Sequence, residues 1–191
     1  MFSSSRIAAS ESAKPDHVAE VGAYFNQHVQ SWINGPEIVA AIKAQNLETA
    51  GFDQAAIDAA DKAWRAEVGS DTADRPMVEK VMQRDVSLYL KEKQRAADWM
   101  IVEIILMDAK GLNVGLSTPS SDYWQGDEAK YQKTYLVSPD ALFIDDPEWN
   151  DETKTWRSQV NMTIADSESG SAIGAAVFEI NLTELKRRLG S

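Results

Sequence analysis

The chain of 191 residues contains no cysteine, which excludes disulfides, thiolate nucleophiles and zinc–thiolate centres together. Only two histidines occur, His17 and His28, about three helical turns apart, and both read as structural rather than catalytic or metal-ligating. No run approaches the roughly 18–20 apolar residues that a bilayer-spanning helix needs. The opening Met1-Phe2-Ser3-Ser4-Ser5-Arg6-Ile7 lacks the continuous apolar stretch of a signal peptide. The chain therefore reads either as cytoplasmic as written or as an exported protein without its leader. Gly-x-Ser-x-Gly, a phosphate-binding Gly-rich loop and His-Glu-x-x-His are all missing, so common routes to hydrolysis and nucleotide chemistry have no anchor. Cations are scarce as well: 19 Lys and Arg face 30 Asp and Glu, a net charge of −11. Such a surface repels phosphate backbones, so nucleic acid is excluded as a general partner.

What is present suffices for one folded unit, with 43% hydrophobic and 26% charged residues. Residues 1–15 read as a disordered or appended tail. Asp16 is placed to cap a helix over 17–33, in which Val18, Val21, Phe25, Val29 and Trp32 recur at steps of three and four. Gly35-Pro36 ends it and opens a second helix to about residue 45. A third spans 53–67, with Ile57, Ala60 and Trp64 on one stripe. One long helix is expected over 76–100. Together these form a helical region, 16–100, packed on a second region, 101–191.

In that second region the period changes from helical to alternating. A β-favouring run at 102–107, the turn Asp108-Ala109-Lys110-Gly111 and the alternating Leu112, Val114 and Leu116 make a hairpin. An aromatic helical stretch over 121–135 follows, then strands at 141–144, 156–164 and 173–180, and a short basic helix over 182–189. The fold class is α+β: N-terminal helices followed by a five-stranded antiparallel sheet with a crossover helix.

Two stretches carry a family resemblance. One is Met107-Asp108-Ala109-Lys110-Gly111-Leu112-Asn113-Val114 with Ser121-Asp122-Tyr123-Trp124-Gln125-Gly126-Asp127-Glu128; the other is Gln159-Val160-Asn161-Met162-Thr163-Ile164-Ala165-Asp166 with Ser171-Ala172-Ile173-Gly174-Ala175. Over about residues 20–188 the chain resembles the single Cache, or PDC, family of PAS-like sensor domains. The Asp-Tyr-Trp-Gln-Gly-Asp-Glu segment is the distinctive part. The resemblance implies an extracytoplasmic, periplasmic sensor. It would bind an amino acid, carboxylate or amine between sheet and covering helices, and signal through helix movement rather than catalysis. It further implies a membrane-bound signalling partner or a homodimer, and no cofactor.

Candidate site residues follow from the spacing. On a helix starting near Asp122, residues Tyr123, Asp127, Lys130, Tyr131 and Thr134 share a face. Lys130 would meet the carboxylate of a zwitterion, Asp127 its amine and the rings its apolar body. Trp124 is a candidate wall and Trp149, within the acidic segment 140–152, a candidate lid. That segment lacks the order of a calcium loop. Arg157 and Gln159 share the polar face of their strand, where the arginine fork suits a carboxylate. The competing reading is a structural or interaction protein in which these groups are solvated pairs and core aromatics.

Overall fold

The helical periodicity of the first half forms six helices in the computed structural model, which describes residues 17–190. The tail assigned to 1–15 and the Asp16 cap lie outside the described residues. The first expected helix divides at Val29 into α1 (Val18–His28) and α2 (Gln30–Ile33). α3 (Pro36–Thr49) and α4 (Gln54–Val68) follow. Asp53 caps α4 by accepting the Ala56 N–H at 2.9 Å.

The single long helix expected over 76–100 is two helices, α5 (Pro76–Met82) and α6 (Asp85–Ala96). The cause lies in its apolar residues. Val78, Val81 and Met82 belong to one core cluster, Val86 and Leu90 to another. A straight helix cannot serve both, so the chain breaks at Gln83–Arg84. The Glu67 carboxylate takes up the free Met77 and Val78 N–H groups of α5 at 2.8 and 3.0 Å. At the break, Arg84 donates to the Val114 carbonyl at 2.7 Å, and Ser87 Oγ accepts the Leu116 N–H at 3.1 Å.

The sheet is wholly antiparallel. Its strands are β1 (Ile101–Met107), β2 (Asn113–Leu116), β3 (Leu142–Ile144), β4 (Glu148–Asn150), β5 (Thr155–Ala165) and β6 (Ala172–Asn181), in the order β2-β1-β6-β5-β3 with β4 also on β5. The five expected strands are there. The sixth, β4, arises from the acidic segment expected to be a loop, with Trp149 opposite Trp156. Gly111, at φ +80°, turns the first hairpin in a backbone conformation that side chains disfavour.

The helix expected over 121–135 contracts to α7 (Ala129–Gln132). Upstream of it, backbone groups are committed to the sheet edge rather than to a helical ladder. Asn113 N–H donates to Tyr123 O, Gln125 N–H to Gly111 O, and the Tyr123 and Trp124 N–H groups to Asp61 Oδ1. The chain closes with α8 (Leu182–Leu189), capped by Asn181.

Each face of the sheet has its own core. Ile104, Leu106, Val160, Ile164, Ala176, Phe178 and Ile180 lie in the cluster with α1, α3, α6 and α8. Ile105, Met107, Leu116, Ala175 and Val177 lie in the cluster with Ile57 and Trp64 of α4, with α5, and with Tyr123 and Tyr131.

Candidate ligand site on the polar end of the sheet

Alternation dictates that Glu103 shares a face with Ile105 and Met107, and Glu179 with Val177 and Ala175. The second face is therefore apolar at one end and polar at the other. Glu103 and Glu179 are direct cross-strand partners, Gln159 stands opposite Glu179, and Asn161 stands opposite Val177. Two carboxylates thus face each other on the floor of one site, an arrangement that costs stability without a compensating role.

The cations are already engaged. Arg157 pairs with Glu179 at 2.9 Å and donates to Thr153 Oγ1 at 3.0 Å. Lys130, on α7, pairs with Glu128 at 3.1 Å and donates to Gln125 Oε1 at 2.9 Å. Glu103, half-buried, has only a long hydrogen bond from Thr118 Oγ1 at 3.4 Å. Further along the same face, Asn161 Oδ1 is buried without a hydrogen-bond partner opposite Val177, and Thr163 Oγ1 likewise at the apolar end, opposite Ala175. A cleft of about 200 Å³ opens at the polar end, where Glu128, Asp145, Asp146, Glu148 and Glu179 outnumber Arg157. The site has acceptors and negative charge in excess.

Burial, then the neighbouring Glu179, pushes the Glu103 carboxyl up from 4.5 to about 7, against the pull of Lys130. The folded state therefore holds a proton that the unfolded state has released between those two values. Stability contributed by this group is present below pH 4.5 and lost as pH rises through about 7. Urea unfolding of the wild type should show that loss across the window, and Glu103→Gln should flatten it. Equal slopes in both proteins would remove Glu103 as the source.

The expected site residues distribute as follows. Lys130, Arg157 and Gln159 gather around the Glu103–Glu179 pair. Tyr131 is buried, donates its hydroxyl to Ala109 O at 2.8 Å and stacks on Tyr135 at 5.1 Å between ring centroids. Tyr123 is buried against Trp64, the rings 5.4 Å apart. Trp124 donates its indole N–H to Lys110 O at 2.9 Å and covers Gly126, where any Cβ would lie 2.4 Å from that nitrogen. Asp127 is exposed, and its charge is felt by Arg65 on α4. Trp149 sits at the sheet edge, half-exposed, bonded to Asp151 at 3.0 Å and edge-on to Trp156.

Sequence reasoning missed Glu103, Glu179, Asn161 and Gln125. The first two carried a signal: each is a carboxylate interrupting an apolar run, in Ile101–Met107 or in residues 172–180 of Ala172–Asn181. Gln125, fully buried, fixes Lys130 with its oxygen while its nitrogen donates to Asp122 Oδ1 at 2.6 Å.

No family model matches the chain, and no curated protein matches it. Among solved structures it is similar to the ligand-binding domain of the Pseudomonas aeruginosa amino-acid chemoreceptor PctC in complex with GABA. The identity is 15%, over 90% of this chain and 62% of that one, with a TM-score of 0.39. It is also similar to the ligand-binding domain of the Campylobacter jejuni chemoreceptor Tlp3 in complex with 4-methylisoleucine, at 13% identity over 90% and 64%, TM-score 0.42. A third is the ligand-binding domain of the Pseudomonas fluorescens chemoreceptor CtaA in complex with L-serine, at 12% identity over 88% and 63%, TM-score 0.35. The chain spans less than two thirds of the length of each. These neighbours are ligand-binding domains of chemoreceptors.

Proposed function

We propose that this chain is a reversible small-molecule sensor module whose ligand carries an ammonium group. One observation carries the reading: the site's cations are neutralised by its own side chains, while Glu103 receives only the long Thr118 contact and the buried Asn161 Oδ1 receives no donor. A ligand bringing N–H donors and positive charge satisfies both, and each buried acceptor so satisfied recovers the cost of its desolvation. Among the described residues no group of three or more His, Asp or Glu side chains is placed to hold a metal ion. The floor suits an organic cation held by a pair of carboxylates and amide oxygens.

Ligand binding beneath α7 would draw on the loop that α4 anchors through Asp61, passing the change to the helical half. The sequence resemblance implies a periplasmic location, with a membrane-bound partner or a second copy to receive the signal.

A thermal-shift and calorimetric screen with primary amines, amino acids and amine-free carboxylates tests the reading. At a hundredfold excess over Kd, an amine should stabilise by about 2.7 kcal/mol, raising Tm by roughly 5–10 °C. Glu103→Gln and Glu179→Gln should each weaken binding at least tenfold, and affinity should rise with pH through 7. A shift from carboxylates alone would overturn the ammonium assignment. No shift from any compound, in protein shown to be folded, would favour the interaction-module reading.

A further inference from the structure

Trp99 is 80% exposed, an unusual place for the largest apolar side chain. It stands at φ +68°, directly after Asp98 at φ +47°. Two successive non-glycine residues in the left-handed region are a strained arrangement, and a tryptophan there has no local hydrogen bond to compensate it. The strain is held in place from outside: Arg188 of α8 donates to the Asp98 carbonyl and pairs with its carboxylate at 3.2 Å. Nothing in this turn serves the sheet site, which lies under α7.

The surroundings are basic in an acidic molecule. Lys91 and Arg95 share a concave surface of about 430 Å³ with Asp98 and Trp99. Arg95 is exposed and forms no ion pair among the described residues. Arg187, also exposed, pairs with Glu184 at 2.7 Å and is close enough for Asp98 to act on its charge. Leu189, 56% exposed, follows on α8. Asp98 and Glu184 lie among these cations, while the cleft is lined by Asp145, Asp146 and Glu148.

The geometry points to an anionic lipid surface as the partner of this end of the molecule. An indole is at home among lipid headgroups, and flanking Lys and Arg side chains meet the phosphates. A protein partner needs on the order of 800 Å² of contiguous, close-packed surface on each side. Here a single ring projects from a turn with charged and small neighbours, Arg95, Ala96 and Asp98, all exposed. A bilayer needs no matching relief. It needs one or two residues able to enter the interface and cations that stay above it, which is what Trp99, Leu189, Lys91 and Arg95 supply.

Co-sedimentation of the full chain with large vesicles tests this. Vesicles of phosphatidylcholine with about 30% phosphatidylglycerol should carry the protein down at low salt. Pure phosphatidylcholine should bind it at least tenfold more weakly, and high salt should release it. Arg95→Glu should cost about tenfold in affinity, because it both removes and reverses a charge. Trp99→Gly removes the ring and relieves the positive φ at once. It should lose vesicle binding about tenfold while melting no lower than the wild type, so a lost interaction cannot be mistaken for misfolding. Absence of sedimentation with anionic vesicles, or equal sedimentation of wild type and both variants, overturns the assignment. So does retention on immobilised poly-glutamate that disappears in Arg95→Glu without any vesicle binding, which would make the patch a site for an acidic protein.

Discussion

Asp108→Ala should lower stability by about 3–5 kcal/mol and Tm by roughly 10 °C, the largest loss expected from any one side chain in the first hairpin. The carboxylate is fully buried and serves as a hub. Its Oδ1 accepts the Lys110 and Leu112 N–H groups at 2.8 and 2.9 Å, closing the turn. Its Oδ2 accepts from Thr49 Oγ1 at 2.9 Å and Gln45 Nε2 at 3.1 Å, fastening α3 to the hairpin. Alanine leaves the Lys110 and Leu112 N–H groups without their acceptor and cuts the tie to α3, where Thr49 and Gln45 fall back on the carbonyls of Gln45, Leu112 and Asn113. Asn should cost roughly half as much, because its single oxygen can serve one pair of donors but not both. Urea denaturation of the two variants measures the difference. A loss below about 1 kcal/mol for alanine would mean that the hairpin and α3 are held together by something else.

Gly174→Ala should be nearly as damaging, about 3 kcal/mol or more, for a steric rather than a polar reason. A Cβ at this position would lie 2.1 Å from the Met107 carbonyl oxygen and 3.0 Å from the Ile42 side chain. The first is backbone of the neighbouring strand and cannot swing aside, so β1 and β6 must separate. Gly51→Ala is the matched control. Nothing lies within 4 Å of its Cβ, and the change should stay within about 0.5 kcal/mol. Comparable losses in the two variants would show that backbone entropy, not the close approach of the strands, sets the cost.

Both residues stood out in the sequence as parts of the two hairpin motifs, and the fold was legible largely through them. Alternation located the long strands because half-buried strands leave no choice about which residues face inward. It failed at β4, where Glu148 and Asn150 flank Trp149 and a charged stretch becomes a strand only because β5 extends far enough to pair with it. Helical periodicity placed α3 and α4 within a few residues but joined α5 to α6. A three-to-four spacing says that residues share a stripe and not which side of a sheet the stripe will meet. Val81 and Val86 continue one pattern on paper and enter different cores in space.

The site was legible in fragments. Lys130, Arg157 and Gln159 were accessible to spacing arguments. Their partners Glu103 and Glu179 lie 76 residues apart and meet only through strand pairing, which no local window reveals. Reading 121–135 as a helix also put Asp127 beside Lys130. In the folded chain the segment is a loop whose backbone is spent on Asp61 and the first hairpin, leaving Asp127 outside.

The broken helix has one more consequence. A sheet whose border strands offer free backbone groups invites a foreign chain to add itself, and acidic proteins are not immune when the border is apolar. Here β2, the strand at one margin, has its outward Val114 carbonyl and Leu116 N–H already taken by Arg84 and Ser87 from the point where α5 gives way to α6. At the opposite margin β3 and β4 are three residues each, separated around Pro147. Neither side presents a run long enough to template fibril growth. A helix that ran straight from 76 to 100 would have withdrawn those two side chains and left the margin open.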